Sequence, residues 1–158
     1  MPHQLLTIAP FTVTGIAVRT INADEFTADQ AKLPALWGRF FSEGVATKVE
    51  NRLPNSPVYG VYSDYESDAT GYYSVTAGVA SSGPDVAEFT SIDVHGGQYL
   101  VFKNQGPMPQ AVVGAWHQVW TFFEAGNAQN EGYVRRFDTD FEQYQGDDEV
   151  AIYIGIIA

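Results

Sequence analysis

Aromatic side chains are the most unusual feature of this 158-residue sequence and the first candidates for binding chemistry. Ten Phe, nine Tyr and three Trp make up 14% of the chain, which is more than the core of such a domain needs. Ring faces attract cations, and a carboxylate among rings supplies the counter-charge that a desolvated cation requires. The formal charge of -11 favours small cations or basic proteins as partners and works against direct contact with nucleic acid. The alternative is that the acidic residues only keep the domain soluble.

Other familiar chemistries have no anchor in the sequence. Because no cysteine is present, thiol nucleophiles, disulfides and cysteine zinc sites are excluded. His3, His95 and His117 lack the spacing of metal ligands, so neither a metal nor a cofactor is expected. Phosphate loops, dinucleotide fingerprints and serine elbows are not found. The apolar runs are too short for a membrane helix and the first residues do not form a secretory signal, which predicts a cytoplasmic protein.

The order of the predicted elements indicates a duplicated strand-helix-strand-strand unit. Alternation of apolar and polar residues predicts the strands. Apolar residues spaced three and four positions apart predict two helices, and a proline marks the first turn of each. The expected elements are a β segment over 4–21, a helix from Pro34 to Gly44, strands over 58–65 and 71–80, strands over 89–94 and 98–102, a helix from Pro109 to Gly126, and strands over 135–144 and 149–157.

Residue identities support this duplication. Phe40–Gly44 matches Phe122–Gly126, and Ser63–Glu66 matches Thr139–Glu142, in the same order in both halves. Chance similarity of short segments is the alternative. We therefore predict a single α+β domain over 1–158, with repeats of about 4–82 and 88–158. The repeats would form one antiparallel sheet with two helices on one face and a central ligand cavity at their seam.

Several passages together carry a resemblance that each alone is too short to support: Tyr59–Asp68, Gly97–Phe102, Gly106–Pro109, Asp140–Tyr144 and Ile152–Ile156. They resemble the GyrI-like effector-binding domains, which occur alone and fused to AraC-type and MerR-type transcription regulators. Within that family the similarity is greatest to the integron-cassette-associated effector-binding proteins, and it covers nearly the whole chain. The resemblance implies a duplicated α+β fold, frequent dimers, and an aromatic pocket with a carboxylate that binds bulky, often cationic, hydrophobic molecules.

The resemblance also implies which carboxylate faces the ligand. Family members bind cations with the glutamate of a Phe-Glu-x-Tyr motif before the last strand, which matches Phe141-Glu142-Gln143-Tyr144. Many relatives have a second acid directly before the Ile-Tyr pair of the last strand, where this sequence has Ala151. This departure implies either a less charged ligand or a Glu142 that works without a second acid. A surface position on an edge strand is the alternative for Glu142.

The aromatic candidates come from the predicted helices and strands. Trp116 and Trp120 lie one turn apart and face the sheet, where packing explains them as well as ligand contact does. Tyr99 and Tyr153 are favoured because their hydroxyls lie on strands next to the seam. No catalytic residue is assigned. The complete set of expected ligand-binding residues is Glu142, Tyr99, Trp116, Trp120, Tyr153, Trp37, Tyr59 and Phe123.

Three functions stay open at this stage. The preferred one is a stand-alone binding protein, rather than an enzyme, that captures bulky hydrophobic cations for xenobiotic sensing or sequestration. The repeats use both halves of the chain, so a DNA-binding regulator would be a separate protein, and a homodimer fits this role. The first alternative is hydrolysis of reactive cyclopropanoid xenobiotics with Glu142 as base, which needs a raised pKa and a nearby water. The second is an acidic protein-interaction domain of the gyrase-inhibitor type.

Overall fold

The structure of the protein is a computed structural model that describes residues 4–27, 29–68, 70–83, 89–124 and 132–157. The described residues form one antiparallel sheet of eight strands, together with two short and two longer helices. The elements in chain order are β1 Gln4–Ile8, β2 Phe11–Ile21, α1 Asn22–Glu25, α2 Leu33–Ser42, α3 Val45–Lys48, β3 Val58–Ser63, β4 Tyr72–Ser81, β5 Thr90–Val94, β6 Gly97–Gln105, α4 Gln110–Phe123, β7 Arg135–Gln145 and β8 Glu149–Ile156. The expected α+β class with one antiparallel sheet is confirmed.

The strand order is symmetric about the middle of the sheet. It runs β1-β6-β8-β7-β3-β4-β2-β5, so β7 of the second half pairs with β3 of the first at the centre. Each half also gives its first strand to the other, because β1 pairs with β6 and β5 pairs with β2. The β7–β3 pair is the seam between the two halves.

The β segment expected over 4–21 is two strands with different partners. β1 ends at Ile8 and β2 begins at Phe11. Pro10 lies between them and has no backbone N–H for a strand ladder, which favours a break at this position. β1 therefore crosses to one edge of the sheet while β2 pairs with β4 and β5 near the other.

Two amphipathic helices lie on the same face of the sheet, which we call the helix face. Pro34 occupies the first turn of α2, as predicted, and Gly44 after that helix has a left-handed backbone with a φ of 61°. Pro109 caps the start of α4, whose expected end at Gly126 lies outside the described residues. The helical side chains buried by this packing are Leu36, Phe40, Ala111, Ala115 and Val119.

The opposite side of the sheet, which we call the second face, has an aromatic core of its own. Tyr59, Tyr99 and Phe141 are buried there in one hydrophobic cluster. Phe11 at the start of β2 packs on this cluster, with its ring centroid 5.2 Å from that of Tyr59 and 5.4 Å from that of Phe141. The start of β2 therefore lies over the central strands on this face.

Candidate functional site

The carboxylate of Glu142 lies at the seam, on the helix face of the sheet. Glu142 on β7 is opposite Gly60 on β3, and only 3% of the residue is exposed. Its Oε2 accepts hydrogen bonds from the Tyr62 hydroxyl at 2.8 Å and from Trp116 Nε1 at 2.7 Å. Its Oε1 accepts one from the Tyr144 hydroxyl at 2.7 Å. Three uncharged donors from β3, α4 and β7 therefore converge on one buried carboxylate.

The balance of burial and hydrogen bonding sets the protonation of this group. Burial raises the pKa of Glu142, while the bonds from Trp116, Tyr144 and Tyr62 lower it, and the net direction is upward. Burial and the neighbouring carboxylate raise the pKa of both tyrosines well above 10.0, so they remain donors. Among the described residues Glu142 has no ion pair with a basic side chain. A buried carboxylate without a cation is costly unless a charge arrives from outside the chain.

Gly60 provides the space for the carboxylate. A Cβ atom at this position would lie 2.8 Å from Glu142 Oε1 and 3.0 Å from Trp37 Cζ2. Both distances are shorter than ordinary packing allows. Because Gly60 on β3 has no side chain, the Glu142 carboxylate on β7 and the Trp37 indole on α2 can approach each other.

Aromatic rings continue from the carboxylate to the surface along both helices. On the α2 side, Trp37 packs against Tyr144 at 5.4 Å between centroids and against Phe41 at 6.1 Å, and Phe41 is 67% exposed. On the α4 side, Trp116 contacts Trp120 at 6.0 Å. This cluster lies at the seam where the sequence predicts a cavity, and it presents ring faces and edges around a single negative charge.

A further exposed ring covers the α4 side of the cluster. Phe26 follows α1, is 69% exposed, and meets Trp120 edge to face at a centroid distance of 5.6 Å. Phe26 and Phe41 are therefore large apolar side chains at the outer ends of the two ring series, a pattern typical of a site that meets an apolar ligand.

The expected site residues divide between the two faces of the sheet. Trp37 and Trp116 lie beside Glu142, and Trp120 lies one helical turn farther out. Phe123 packs on Phe102 and Phe122 in the α4 core, away from the carboxylate. The helix face thus brings together four of the eight expected residues: Glu142, Trp37, Trp116 and Trp120.

Tyr59, Tyr99 and Tyr153 lie on the second face, and this corrects the expectation that they share a site with Glu142. Side chains alternate between the two faces of a sheet along a strand. A residue next to a helix-face position therefore points to the second face. Tyr99 donates to the backbone oxygen of His95, and Tyr153 stacks on Phe141 at a centroid distance of 4.4 Å. These tyrosines pack and hydrogen-bond within the second-face core.

The same alternation explains Ala151. It is opposite Gln143 on β7 and shares a face with Tyr153, while its neighbour Ile152 faces the helices. An acid in place of Ala151 would therefore not lie next to Glu142. The residues that sequence reasoning did not assign to the site are Tyr62 and Tyr144, although Tyr144 is two positions after Glu142 and must share its face.

Metal-ligand clusters and membrane-spanning helices are two features that the described part of the chain does not contain. No group of three or more His, Asp or Glu side chains in this part could hold a metal ion. Helices long and apolar enough to cross a membrane are also not found there. Two surface cavities of about 390 Å³ and 250 Å³ lie beside β5, away from Glu142.

The fold and the buried carboxylate together define an effector-binding protein, the class in which small molecules are bound by a domain of this architecture. A family model described as integron-associated effector binding protein, Cass2, matches residues 4–156. The chain belongs to this family.

Individual relatives agree with this assignment. The integron cassette protein VCH_CASS2 from the mobile metagenome of Vibrio cholerae is 34% identical, with a TM-score of 0.83 over 98% of this chain and 95% of that one. SAV2435, solved bound to tetraphenylphosphonium, shares the fold at 22% identity, with a TM-score of 0.78 over 100% of this chain and 95% of that one. The candidate transcriptional regulator YobU of Bacillus subtilis (strain 168) is 27% identical over 82% of this chain and 78% of its own.

Proposed function

We propose that this chain binds a bulky hydrophobic cation, with the positive charge next to Glu142 and the apolar groups between the α2 and α4 rings. The observation that carries the proposal is the fully buried carboxylate, which has three uncharged donors and no ion pair among the described residues. A cation from outside the chain would supply the missing counter-charge at low local dielectric, where the attraction is strong.

The hydrogen bonds already made by Glu142 favour a cation without N–H groups. Oε2 accepts two bonds and Oε1 accepts one, so a ligand donor would compete with Tyr62, Trp116 or Tyr144 for the oxygens. A phosphonium or quaternary ammonium ion needs no such bond and gains cation-π attraction of about 0.5–2 kcal/mol from each well-placed ring. The ligand in the SAV2435 structure, tetraphenylphosphonium, belongs to this class.

Binding requires the rings over the carboxylate to separate. Glu142 is 3% exposed, while Phe41 and Phe26 at the outer ends of the ring series are exposed. A bulky ligand would therefore replace ring-ring contacts with ring-ligand contacts as it reaches the charge, which is a shift of a conformational equilibrium by differential affinity. We place this binding in xenobiotic sensing or sequestration in the cytoplasm, by a single-domain protein that forms a homodimer or acts with a separate DNA-binding regulator.

A thermal-shift comparison of ions that differ mainly in the sign of their charge tests the proposal. Tetraphenylphosphonium and tetraphenylborate have similar size and shape but opposite charge, and triphenylphosphine oxide is a neutral analogue. A ligand present at about 100 times its Kd raises the free energy of unfolding by about 2.7 kcal/mol. We expect tetraphenylphosphonium to raise the Tm of the wild type by several degrees, and the borate and the oxide to raise it much less.

Two glutamine variants complete the experiment. Glu142→Gln keeps the shape of the side chain and removes its charge, so it should lose the preference for the phosphonium. Glu149→Gln makes the same change at an exposed position at the start of β8 and should behave like the wild type. Equal stabilisation by the neutral analogue, or an unchanged preference in Glu142→Gln, would contradict the proposal.

A further inference from the structure

One of the three hydrogen bonds to Glu142 connects two layers of the molecule. The donors Tyr62 and Tyr144 belong to β3 and β7, the paired strands that also carry Glu142 and its opposite residue Gly60. Trp116 belongs to α4, and its Nε1 donates to Oε2 of Glu142 at 2.7 Å. The Trp116–Glu142 bond is therefore the one of the three that links a helix to the sheet.

A strand ladder holds both phenol donors next to the carboxylate. Tyr144 is two positions after Glu142 on the same strand, so the two side chains share a face. Tyr62 lies on β3, which pairs with β7 from residue 58 to residue 62. Its ring also packs on Tyr73, at a centroid distance of 5.4 Å. We expect both phenols to stay bonded to Glu142 when a ligand is present.

Trp116 is held by ring packing in the middle of the helix face. Among the partly buried apolar residues that the structure describes, it is the one that packs on both the core under α2 and the core under α4. Its ring centroid is 5.1 Å from that of Tyr62 and 6.0 Å from that of Trp120. Trp120 in turn meets the exposed ring of Phe26. A series of rings thus leads from the surface to Trp116, and through it to Glu142.

A ligand that enters between α4 and the sheet would break the Trp116–Glu142 bond rather than either phenol bond. Oε2 would then keep one of its two donors, and the loss of a donor destabilises a buried carboxylate. A cation replaces the lost partner by direct attraction, whereas an uncharged apolar molecule does not. The freed indole can also turn its face to the cation, and indole is the side chain with the strongest cation-π attraction.

We propose that Trp116 is a specificity-determining residue, because a bound cation replaces its N–H group as a partner of Glu142 Oε2. Without ligand, the indole supplies a donor to a charge that has no ion pair among the described residues. Every ligand that reaches Oε2 must break this bond, and a positive charge compensates for the loss. This inference rests on the function proposed above, and it adds which contact the cation replaces.

The indole N–H signals in a proton–nitrogen correlation spectrum report this change of partner directly. The chain has three tryptophans, and Trp37→Phe, Trp116→Phe and Trp120→Phe assign their signals because each variant lacks one. In the free protein the Trp116 proton should lie downfield and exchange slowly with water, since it is bonded to a buried carboxylate. If Trp116→Phe folds poorly, the other two variants still identify the Trp116 signal by elimination.

Tetrabutylammonium and tetraphenylphosphonium are the two probes. Tetrabutylammonium has no rings and produces no ring currents, so at saturation it should move the Trp116 proton upfield and speed its exchange with water. Tetraphenylphosphonium should speed the exchange in the same way, because exchange rates do not depend on ring currents. The signals of Trp37 and Trp120 should change less, since their indoles do not donate to Glu142.

The outcomes separate this inference from the function on which it rests. If neither cation binds, the proposed function is wrong and this inference fails with it. If a cation binds to saturation while the Trp116 proton keeps its position and its slow exchange, the proposed function stands and this inference is overturned.

Affinities of two matched ring variants give a second test. Trp116→Phe keeps a ring at the site and removes the N–H group, so a cation no longer has to displace it. Trp120→Phe makes the same change one helical turn farther from Glu142. At about pH 8, which keeps Glu142 charged, tetraphenylphosphonium should bind Trp116→Phe at least about threefold more tightly than Trp120→Phe, as expected for one hydrogen bond. Equal or weaker binding to Trp116→Phe would contradict the inference.

Discussion

At the scale of single residues, Glu142 should make the stability of the protein depend on pH. Its pKa is raised above the ordinary value of 4.5, mainly by burial, so the folded chain holds the proton more tightly than the unfolded chain does. The free energy of unfolding must then fall as the pH rises from about 4.5 through the folded-state pKa, by about 1.4 kcal/mol for each unit of difference. Glu142→Gln lacks this contribution.

Urea unfolding of wild type and Glu142→Gln between pH 4 and pH 8 measures the effect. The wild-type free energy minus that of the variant should decrease over the lower part of this range and then level off, because the other titrating groups cancel in the difference. A difference that stays flat, or that rises with pH, would show that Glu142 is not destabilised by burial.

The partners of Glu142 show what the sequence can and cannot predict about a site. Tyr144 follows Glu142 by two positions, so strand alternation alone places both on one face. Tyr62 could not be found in this way, because its approach depends on the register between β3 and β7. The faces of Tyr99 and Tyr153 relative to Glu142 could not be predicted for the same reason: alternation fixes faces within a strand, and only the register relates one strand to another.

At the scale of elements, the pairing of β2 with β4 depends on two facing glycines. Gly15 and Gly78 are opposite each other, and a Cβ at Gly78 would lie 2.2 Å from the Thr14 backbone oxygen. Because backbone cannot move aside as a flexible side chain can, we expect Gly78→Ala to reduce the free energy of unfolding by about 3 kcal/mol or more. Gly38→Ala on α2 meets nothing within 4 Å and should stabilise by about 0.5–1 kcal/mol. Denaturant midpoints of both variants check this contrast, and a similar loss in both would refute it.

The elements themselves were largely predictable because their signals are local. Spacings of three and four and the prolines at positions 34 and 109 located both long helices. The left-handed Phe137 and the register shift in β7 have no local signal, since bulky residues rarely adopt a positive φ. Such irregularities depend on long-range packing, here of Phe137 against Arg135 and Tyr65.

At the scale of the whole molecule, the element order predicts two related halves, but it could not indicate that their first strands pair with the opposite half. Sequence similarity between repeats shows that each contains such a strand, and it does not show which half that strand joins. The exchange has a physical consequence, because the β1–β6 and β2–β5 ladders tie the halves together in addition to the central β7–β3 pair. The halves should therefore unfold as one cooperative unit.

Removal of residues 1–9 tests this coupling, because β1 belongs to the first half by sequence and to the second by pairing. Without it, residues 97–101 of β6 lose their partners on β1, since that ladder runs from Gln4–Val101 to Ile8–Gly97, while the pairing of β6 with β8 remains. We expect the backbone amides of β6 that bond to β1 to exchange with deuterium much faster, while those between β2 and β4 change little. If the first half loses protection instead, β1 stabilises the half from which it comes, and the exchange of strands has no energetic role.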